Sequence, residues 1–475
     1  MQKYHLLING QQKRSAGESF FPAFDPVKGE QVHLITQSTP EDVNHAVAAA
    51  KSAAAGWGQL RPLFRGRAMH AIAQLIRANK DHLSRIESLN TGKIKGAADR
   101  EMDIAAEYFE FFGNLTSQRG GELIDIGSGY HCFNQHEPYG VVGIITPWNL
   151  PLNQFARSAA AALAAGNTVV VKPSEHTSAS TVELVALIFQ ADIVAPGVIN
   201  VVTGDGKTGS ALVGHADVAK VSFTGSVQTG KSVGALCAGS VKPVTLELGG
   251  KSPNIVMADA DLELAVQGCI KGFVSNAGQV CIAGSRIFVH ASIYDAFQEK
   301  LTAALSSLDQ SRESWAPIIT RQQYQKVLDF IAAGEKENLP LIYRSDASLV
   351  PHQGWFVPRV VFAVTDEDNC ISSNEIFGPV AVLRKFESIQ ECIALANHTN
   401  FGLAAGVWGR DISRIHQLVS RIEAGQIFVN DYFAGGVENP LGGYKESGIG
   451  KEKGIQAYLN YQRSKNVVIA LDPAQ

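Results

Sequence analysis

The stretch TVVVKPSE at residues 168–175 is one of four short β-branched runs in the middle of the chain. The others are VVGIITPWN at 141–149, VINVVTG at 198–204 and KVSFTGS at 220–226. The segments between these runs have the apolar spacing of helices. Strands that alternate with helices form a parallel sheet covered on both faces, so this region predicts an α/β fold.

Three of these strands end in polar residues, with the sequences TPWN, KPSE and FTGS. Ligands of open α/β sheets bind beyond the carboxyl ends of the strands. We therefore expect a cofactor to lie where these three ends meet.

The pattern changes on either side of this region. Upstream, residues 40–89 and 97–112 have apolar residues at helical spacing. After Lys251 the alternation of strands and helices restarts, which predicts a second α/β domain; its strands are SPNIVM, RIFVH, PRVVF, PVAVLRKF, AAGVWG and GQIFVN. The last apolar run, KNVVIAL at 465–471, has no partner nearby in sequence, and we expect it to pair with another subunit.

Length and composition exclude several functional classes. A chain of 475 residues with 45% hydrophobic residues has room for two or three domains with large cores. The net charge of −4 and the absence of a basic block argue against nucleic acid and membrane surfaces as partners. We find no signal peptide and no apolar stretch long enough to span a bilayer, which predicts a cytoplasmic protein. The six cysteines are scattered without CxxC pairs, so we expect free thiols and no metal site.

Cys281 and Glu247 are the first candidates for chemistry. Cys281 lies between Gly278 and Gly284, and a cysteine near backbone N–H donors can ionise below its usual pKa. It can equally be one more buried cysteine. Glu247 interrupts the apolar run VTLELGG, where desolvation would raise its pKa toward that of a general base. The alternative is an edge strand with Glu247 facing water.

Two further positions offer polar groups at strand ends. Asn149 in TPWNLP has an amide that can donate to a developing oxyanion, although an Asn before a turn is also a common cap. Lys172 and Glu175 in KPSE suit ribose hydroxyls or phosphate, and they also suit a solvated loop.

The segment 225–232, GSVQTGKS, satisfies the pattern GxxxxGK[ST] and follows a strand. By itself it indicates a P-loop nucleotide hydrolase, with Lys231 on the terminal phosphate. The other interpretation is a dinucleotide pyrophosphate on the same helix N-terminus, with Lys231 and Ser232 as ordinary helical residues. Both interpretations place a phosphate there.

Together these motifs resemble those of the aldehyde dehydrogenase superfamily. VTLELGGKSPNIV followed by NAGQVC is similar to its paired signature, and TPWNLP, VVVKPSE, SFTGS, NEIFGPV and LGGYKESGIGKEKG are similar to further motifs in the same order. The resemblance extends over nearly the whole chain. It favours a dinucleotide site over a P-loop, because the family has glycines at the positions of Gly225 and Gly230.

The resemblance implies roles for individual residues. Cys281 would attack the aldehyde, Asn149 and the Cys281 backbone N–H would hold the oxyanion, and Glu247 would activate water to hydrolyse the thioester. The implied cofactor-binding residues are Ile145, Trp148, Lys172, Glu175, Gly225, Ser226, Leu248, Glu375 and Phe377. Because Glu175 would repel a 2′-phosphate, NAD is the expected cofactor and NADP the alternative.

The resemblance also implies an architecture. A Rossmann-like cofactor domain would comprise residues 1–118 and 138–249, and an α/β catalytic domain residues 250–455. A β oligomerisation arm would combine 119–137 with 456–475 and assemble a homodimer or homotetramer.

The aldehyde itself is the least determined part of the prediction. Positions similar to the family's access tunnel form a mixed wall: Leu150, Asn153, Arg157, Ile282, Phe433 and Leu441. Arg157 would suit a carboxylate and therefore a semialdehyde, the pair Arg157-Ser158 is similar to that of relatives acting on aromatic aldehydes, and Arg157 can also bind neighbouring backbone or acidic groups. The family often has a lysine where Ser158 stands, whereas Glu452 keeps the other partner of the base. A relative that has lost catalysis is the non-enzymatic alternative.

Overall fold

The computed structural model describes residues 2–118 and 120–471 of the chain. Met1, Arg119 and residues 472–475, which belong to the predicted cofactor domain and arm, lie outside the described residues. The strands are, in chain order, Gln2–Tyr4 (β1), Leu6–Ile8 (β2), Gln11–Lys13 (β3), Phe20–Asp25 (β4), Glu30–Thr36 (β5), Glu122–Ile124 (β6), Tyr130–Pro138 (β7), Val141–Ile145 (β8), Thr168–Lys172 (β9), Ile199–Val201 (β10), Lys220–Thr224 (β11), Val244–Glu247 (β12), Pro253–Val256 (β13), Arg286–His290 (β14), Leu341–Arg344 (β15), Val360–Ala363 (β16), Val380–Phe386 (β17), Phe401–Gly402 (β18), Ala404–Trp408 (β19), Gln426–Val429 (β20), Tyr444–Lys445 (β21), Gly448–Ile449 (β22) and Gln462–Ala470 (β23).

About half of the helices begin at a side-chain cap. Thr39 and Asp42 form a reciprocal capping box at the first helix, and Pro40 occupies its first turn. The helices are Pro40–Gln59 (α1), Pro62–Ala78 (α2), Lys80–Thr91 (α3), Lys95–Leu115 (α4), Pro151–Ala164 (α5), Ala179–Gln190 (α6), Gly206–Gly214 (α7), Val227–Ala238 (α8), Leu262–Val274 (α9), Tyr294–Asp309 (α10), Arg321–Lys336 (α11), Cys370–Ser373 (α12), Ile389–Asn397 (α13), Ile412–Val419 (α14) and Gly454–Asn460 (α15).

The first large sheet has the strand order β22-β12-β11-β8-β9-β10-β2-β3. Its five central strands run parallel, and β22, β2 and β3 join antiparallel at its edges. Alternate residues of the strands face two separate cores. One core contains residues of α2 to α6, and the other contains residues of α1, α7 and α8. The strands carry apolar side chains on both faces because helices cover both faces.

The second large sheet has the order β15-β16-β17-β14-β13-β19-β20. All its pairs are parallel except β15 with β16. One core places α9 and α10 against this sheet, and two further cores contain residues of α13 and α14 and of α11 and α12. The small sheet β1-β5-β4 and the pair β18-β21 complete the strand pairings.

A third sheet has the strand order β23-β7-β6. Within the chain, β23 pairs with β7 over nine residue pairs from Gln462–Pro138 to Ala470–Tyr130. The other edge of β23 has no strand partner among the described residues, and its pairing with another subunit stays a prediction. Several apolar side chains of this sheet are exposed, including Leu123 at 77% and Val468 at 53%.

Along the chain, the strands of the second large sheet follow those of the first, except for β22. Residues 448–449 fall in the predicted catalytic domain, yet β22 adds to the edge of the first sheet beside β12. No helix in the described part of the chain is long and apolar enough to cross a bilayer. The six cysteines carry no disulfide.

Candidate active site

A small cavity of about 150 Å³ lies between the carboxyl ends of the first sheet and the loops of the second. Asn149, Glu247 and Cys281 all line it. These three residues come from segments far apart in sequence, and the fold brings them together. The cavity is continuous with a larger cleft, since both are lined by Trp148 and by the turn at Gly225 and Ser226.

The segment before Cys281 has an unusual backbone. Asn276, Ala277 and Gly278 are three consecutive residues with φ of 52°, 53° and 74°, all in the left-handed region. At Gly278 a Cβ would lie 2.2 Å from the Gly378 carbonyl oxygen, so only glycine fits. This tight turn carries the chain out of α9 and places the half-buried Cys281 at the cavity.

A hydrogen-bond network joins this turn to Asn149. The Asn149 Nδ2 donates to the Gln279 backbone carbonyl at 2.9 Å, and the Asn276 Nδ2 donates to the Asn149 carbonyl at 3.3 Å. The Gln279 side chain in turn donates to the Pro317 carbonyl and accepts from the Ile319 N–H. The oxyanion candidate and the nucleophile candidate are therefore held by one network, in which the Asn149 amide retains a second N–H.

The environment of Cys281 differs from the sequence expectation. Burial raises the pKa of its thiol to about 11, and the Arg157 guanidinium only partly offsets this. The expectation of a thiolate ionised below its usual pKa is wrong for this state of the protein, because desolvation outweighs the nearby donors. The thiol is protonated at neutral pH and needs a base.

Glu247 has the properties of that base. It ends β12, which lies between β11 and β22, and its side chain is only 3% exposed. The edge strand facing water is therefore excluded. Burial raises the pKa of Glu247 to about 8, with Arg157 opposing the shift. The Oε1 atom is buried without a hydrogen-bond partner within the described chain.

Arg157 projects from α5 toward the same region. Its Nη2 donates to Oγ1 of Thr224 at 2.9 Å, and its side chain is almost fully buried. Nearby, Oε1 of the fully buried Glu452 accepts from the Ser222 hydroxyl at 2.8 Å and from the Tyr461 hydroxyl at 2.9 Å. Arg157 therefore lies among protein groups, as one of the three predictions for it requires.

The larger cleft has a volume of about 810 Å³ and follows the carboxyl ends of β8, β9 and β11. Ile145, Trp148, Lys172, Glu175, Gly225 and Ser226 line it. The Lys172 ammonium lies 3.1 Å from the Glu175 Oε2. Burial alone would raise the pKa of Glu175, but Lys172, the residue's own N–H and His176 more than offset that effect and hold the pKa below its ordinary value. Glu175 is thus a carboxylate at neutral pH.

The smaller cavity also contains the remaining cofactor candidates, Leu248, Glu375 and Phe377. Glu375 Oε1 accepts from the Gly250 N–H at 3.2 Å, and burial raises the pKa of this carboxyl to about 7. Phe377 has φ of 57° and packs edge-on against Trp148 at 5.3 Å between ring centres. The Gln323 side chain holds this bend by donating to the Phe377 carbonyl.

The P-loop-like segment places Lys231 away from both cavities. The Lys231 ammonium is exposed and lies 2.9 Å from the Glu446 carboxylate. Ser232 lines the cleft, but its hydroxyl donates to the Gln228 carbonyl within α8. The side chain of Ser226 caps this helix by accepting from the Thr229 N–H. The helix N-terminus faces the cleft, whereas the lysine that a P-loop requires does not.

The comparisons with known proteins agree with this geometry. The model of the aldehyde dehydrogenase family matches residues 12–467. The chain belongs to the aldehyde dehydrogenase family. The predicted α/β fold and the predicted family are confirmed, and the chain is an aldehyde dehydrogenase that oxidises aldehydes. The P-loop hydrolase and the inactive relative are not favoured.

Similar aldehyde dehydrogenases include curated relatives and solved structures. The hydroxyisobutyraldehyde dehydrogenase of Mycolicibacterium austroafricanum is 36% identical over 475 residues, covering 99% of this chain and 94% of the relative. The betaine aldehyde dehydrogenase of Brucella anthropi is 38% identical over 459 residues, covering 95% and 94%. Among solved structures, the NAD⁺ complex of a Bacillus cereus aldehyde dehydrogenase has a TM-score of 0.95 and 36% identity, covering 99% of this chain and 97% of that one. The betaine aldehyde dehydrogenase of Staphylococcus aureus in complex with NAD⁺ has a TM-score of 0.95 and 34% identity, covering 99% and 95%.

Unlike the predicted catalytic and cofactor-binding residues, the predicted substrate residues do not line the small cavity or the larger cleft. Leu150 and Ile282 directly follow residues that line the small cavity, Leu441 is buried in a bridge with Glu452, and Arg157 is bonded to Thr224. Other lining residues were not predicted from the sequence: Gln154, Thr224, Gly249, Gln323 and Lys326. Gln154 had a detectable signal, as a polar residue within an apolar helix. Gln323 and Lys326 had none, because nothing in the sequence indicates that α11 docks at this site.

Proposed function

We propose that this aldehyde dehydrogenase uses Cys281 as nucleophile, Asn149 as oxyanion donor and Glu247 as general base, with NAD as its cofactor. One observation carries the proposal: the three side chains line one small cavity that opens into a long cleft. A nucleophile, a base and an amide donor within one cavity are the groups that acyl transfer through a covalent intermediate needs.

The cleft suits a dinucleotide. At one end, the ionised Glu175 and the adjacent Lys172 can bind ribose hydroxyls. In the middle, the N-terminus of α8 offers backbone N–H groups to a pyrophosphate. The hydroxyl of Thr146 in the cleft wall is buried without a protein partner in the described chain, which fits a site that receives a polar ligand. Toward the small cavity, Glu375 and Phe377 would bind the second ribose and ring.

The reaction begins at the Cys281 sulfur. Because its thiol is protonated at neutral pH, a base must take the proton, and Glu247 lines the same cavity. The sulfur then bonds to the carbonyl carbon, and the free N–H of the Asn149 amide donates to the oxyanion. NAD, when bound in the cleft, supplies the hydride acceptor that converts this adduct to a thioester. After Glu247 has released the cysteine proton to solvent, it takes a proton from water, the water oxygen bonds to the acyl carbon, and the C–S bond breaks to release the acid and the Cys281 thiolate.

Glu175 favours NAD over NADP as the cofactor, and Glu247 favours water over CoA as the nucleophile that releases the acyl group. A carboxylate at Glu175 accepts hydrogen bonds from the 2′- and 3′-hydroxyls and repels a 2′-phosphate, so we propose NAD as the preferred cofactor and NADP as the poorer one. Glu247 provides the base that hydrolysis requires, so we propose that the free acid is the product. Accumulation of acyl-CoA when CoA is present would contradict this.

We propose that the substrate is a neutral aldehyde, such as the predicted aromatic class, and not a semialdehyde. The competing prediction, a semialdehyde, depends on Arg157 binding the distant carboxylate. Since Nη2 of Arg157 donates to Thr224 and its guanidinium faces buried carboxyls, we infer that it is not free for a substrate. A panel of neutral and acidic aldehydes, compared by kcat/KM, tests the inference, and a preference for acidic ones would reverse it.

We also propose a domain organisation and assembly. The cofactor domain comprises residues 1–118 and 138–249, the catalytic domain 250–455 and the arm 119–137 with 456–475. The arm has an exposed strand edge and exposed apolar side chains, which suit a homodimer or homotetramer. Sedimentation of the wild-type protein and of a variant with Leu123→Lys and Val468→Lys tests this assembly.

The decisive experiment follows reduced cofactor with the wild type, Cys281→Ala and Glu247→Gln. We expect no turnover with C281A. We expect E247Q to be slow in forming the adduct and slower in hydrolysing it, so that intact-protein mass spectrometry detects an acyl group on Cys281. The matched control is Cys370→Ala, which replaces another half-buried thiol that does not line the cavity and should retain wild-type rates. Turnover by C281A would refute the proposed function.

A further inference from the structure

The region behind Glu247 contains a second buried carboxyl that the reaction above does not use. Glu452 is fully buried, and its Oε1 accepts from Ser222 and Tyr461 while its Oε2 has no partner among the described residues. Ser158 lies beside the same Tyr461 hydroxyl. Two buried carboxyls in one region carry a large desolvation penalty unless a cation balances them.

Arg157 lies where that cation is needed. Thr224, which accepts from Arg157 Nη2, is directly opposite Glu247 in the pairing of β11 with β12. Paired residues of adjacent strands point to the same face and lie about 5 Å apart. The guanidinium is therefore anchored on the immediate neighbour of the proposed base.

The same strand places Arg157 near Glu452. Ser222 and Thr224 are two residues apart on β11, so their side chains share one face and lie about 7 Å apart. Ser222 donates to Glu452 and Thr224 accepts from Arg157. Arg157 and Ser158 are adjacent on α5. Arg157 contacts Thr224, and Ser158 lies beside the Tyr461 hydroxyl, so both contact one buried cluster.

Each of the three charged groups of this cluster has one polar atom without a hydrogen-bond partner among the described residues. Arg157 Nε, Glu247 Oε1 and Glu452 Oε2 are all buried and have no hydrogen-bond partner within the described chain. Buried polar atoms of this kind are normally satisfied by ordered water or by a small displacement of side chains. One donor and two acceptors, all unpaired, fit a guanidinium that serves both carboxyls.

We propose that Arg157 is a positioning residue, the shared counter-ion of Glu247 and Glu452, and that through this charge it keeps the base ionisable. The proposal rests on the proposed function of Glu247. It assigns to Arg157 a role in the reaction that does not require contact with the aldehyde.

The charged and titratable groups around the cluster agree with this role. Burial alone would lower the pKa of Arg157, but Glu452 and Glu247 raise it above its ordinary value, so the guanidinium stays charged. At Glu247, burial and Glu452 raise the pKa, and Arg157 and Lys451 oppose them. The other groups that face the cluster are Tyr108 from α4, Cys281 and Lys453.

The test is the pH dependence of kcat in Arg157→Met, Arg157→Lys and Glu452→Gln, with a neutral aldehyde and NAD. Losing an opposite charge at this distance should raise the apparent pKa of the base by about 1 to 3 units in R157M. R157K keeps the charge and should shift it by less than half of that amount. E452Q removes a like charge and should shift it downward.

Stability measurements keep the proposal testable if R157M unfolds. R157M leaves Glu247 and Glu452 without their cation and should lower the melting temperature, and R157M/E452Q should recover part of this loss. An active R157M enzyme with an unchanged pH profile would overturn the proposal. So would a rise in KM confined to acidic aldehydes, which would assign Arg157 to substrate binding. Neither result would affect the roles of Cys281 and Glu247, which C281A and E247Q test separately.

Discussion

The Asn149 side-chain amide donates to the backbone carbonyl of Gln279 at 2.9 Å, although the two residues are 130 positions apart in sequence. This bond ties the oxyanion candidate on the first sheet to the loop that carries Cys281. The position of the amide relative to the sulfur is therefore set by protein structure before any substrate binds. Preorganised donors of this kind are usually the largest electrostatic contribution to catalysis.

We expect Asn149→Ala to lower kcat by about 10²- to 10³-fold with a smaller change in KM, because removing one oxyanion donor has effects of that size. Asn276→Ala should produce a smaller loss, since it removes only the bond that fixes the Asn149 carbonyl. Steady-state kinetics with one aldehyde measure both. Asn114→Ala is the matched control, because Asn114 is exposed, hydrogen-bonds to His70 and does not line the cavity. Equal kcat in N149A and N114A would exclude the oxyanion role.

The pH dependence of the reaction should follow Glu247. A base acts only after it has lost its proton, and burial raises the pKa of this carboxyl to about 8. With that pKa, about one tenth of Glu247 is ionised at pH 7, so kcat should rise with pH through about 8 and then level off. A rate profile between pH 6 and 10 measures this. A profile that falls over pH 7–9, or one that E247Q leaves unchanged, would contradict the assignment.

Gly278→Ala should abolish activity and destabilise the protein. Its φ of 74° disfavours any side chain, and the new Cβ would lie 2.2 Å from the Gly378 carbonyl oxygen. The strain alone costs about 1 kcal/mol or more, and the backbone clash adds to it. Gly96→Ala is the matched control, because a Cβ there meets open space within α4 and alanine favours helix. Thermal unfolding and activity of the two variants should diverge, and similar values would show that the turn tolerates a side chain.

Cofactor preference should depend on Glu175. The wild type should have a higher kcat/KM with NAD than with NADP, because the Glu175 carboxylate repels a 2′-phosphate. Glu175→Gln removes the charge, leaves Lys172 unpaired and should bring the two values closer by raising the one for NADP. Kinetics with both dinucleotides at saturating aldehyde measure the ratio. Glu183→Gln, on the outer part of α6, is a control for loss of a carboxylate and should leave the ratio unchanged. A higher kcat/KM of the wild type with NADP than with NAD would contradict the prediction.

The sequence predicted most of the fold because strands and helices have local periodicity. The β-branched run at 168–175 and its neighbours became parallel strands, and the helical regions 40–89 and 97–112 became α1 to α4. Pairing between distant segments has no such signal. The pairing of β23 with β7, more than 300 residues away, was expected only from the family resemblance, and the extension of the first sheet by β22 was not expected.

Local sequence patterns also predicted part of the candidate site, but not the properties that depend on contacts between distant residues. Asn149 and Glu247 were predicted from strand ends, which converge at one edge of a parallel sheet, whereas Cys281, in the loop before β14, was predicted from its flanking glycines and the family resemblance. The pKa of Cys281 was not predictable, since it depends on how much protein surrounds the sulfur. The contacts of Arg157 were not predictable either, because its hydrogen-bond partner Thr224 is 67 positions away in sequence.

The edge strand β22 and the buried Glu452 come from the last tenth of the chain, yet they complete the sheet that carries Glu247. During synthesis the nucleophile and the base therefore leave the ribosome long before the segment that completes the sheet beside the base. A nascent chain that stalls before residue 448 would leave this edge of β12 unpaired and Arg157 without Glu452. Catalysis therefore requires the chain through residue 452, and truncated chains that end before β22 should be inactive and prone to aggregate.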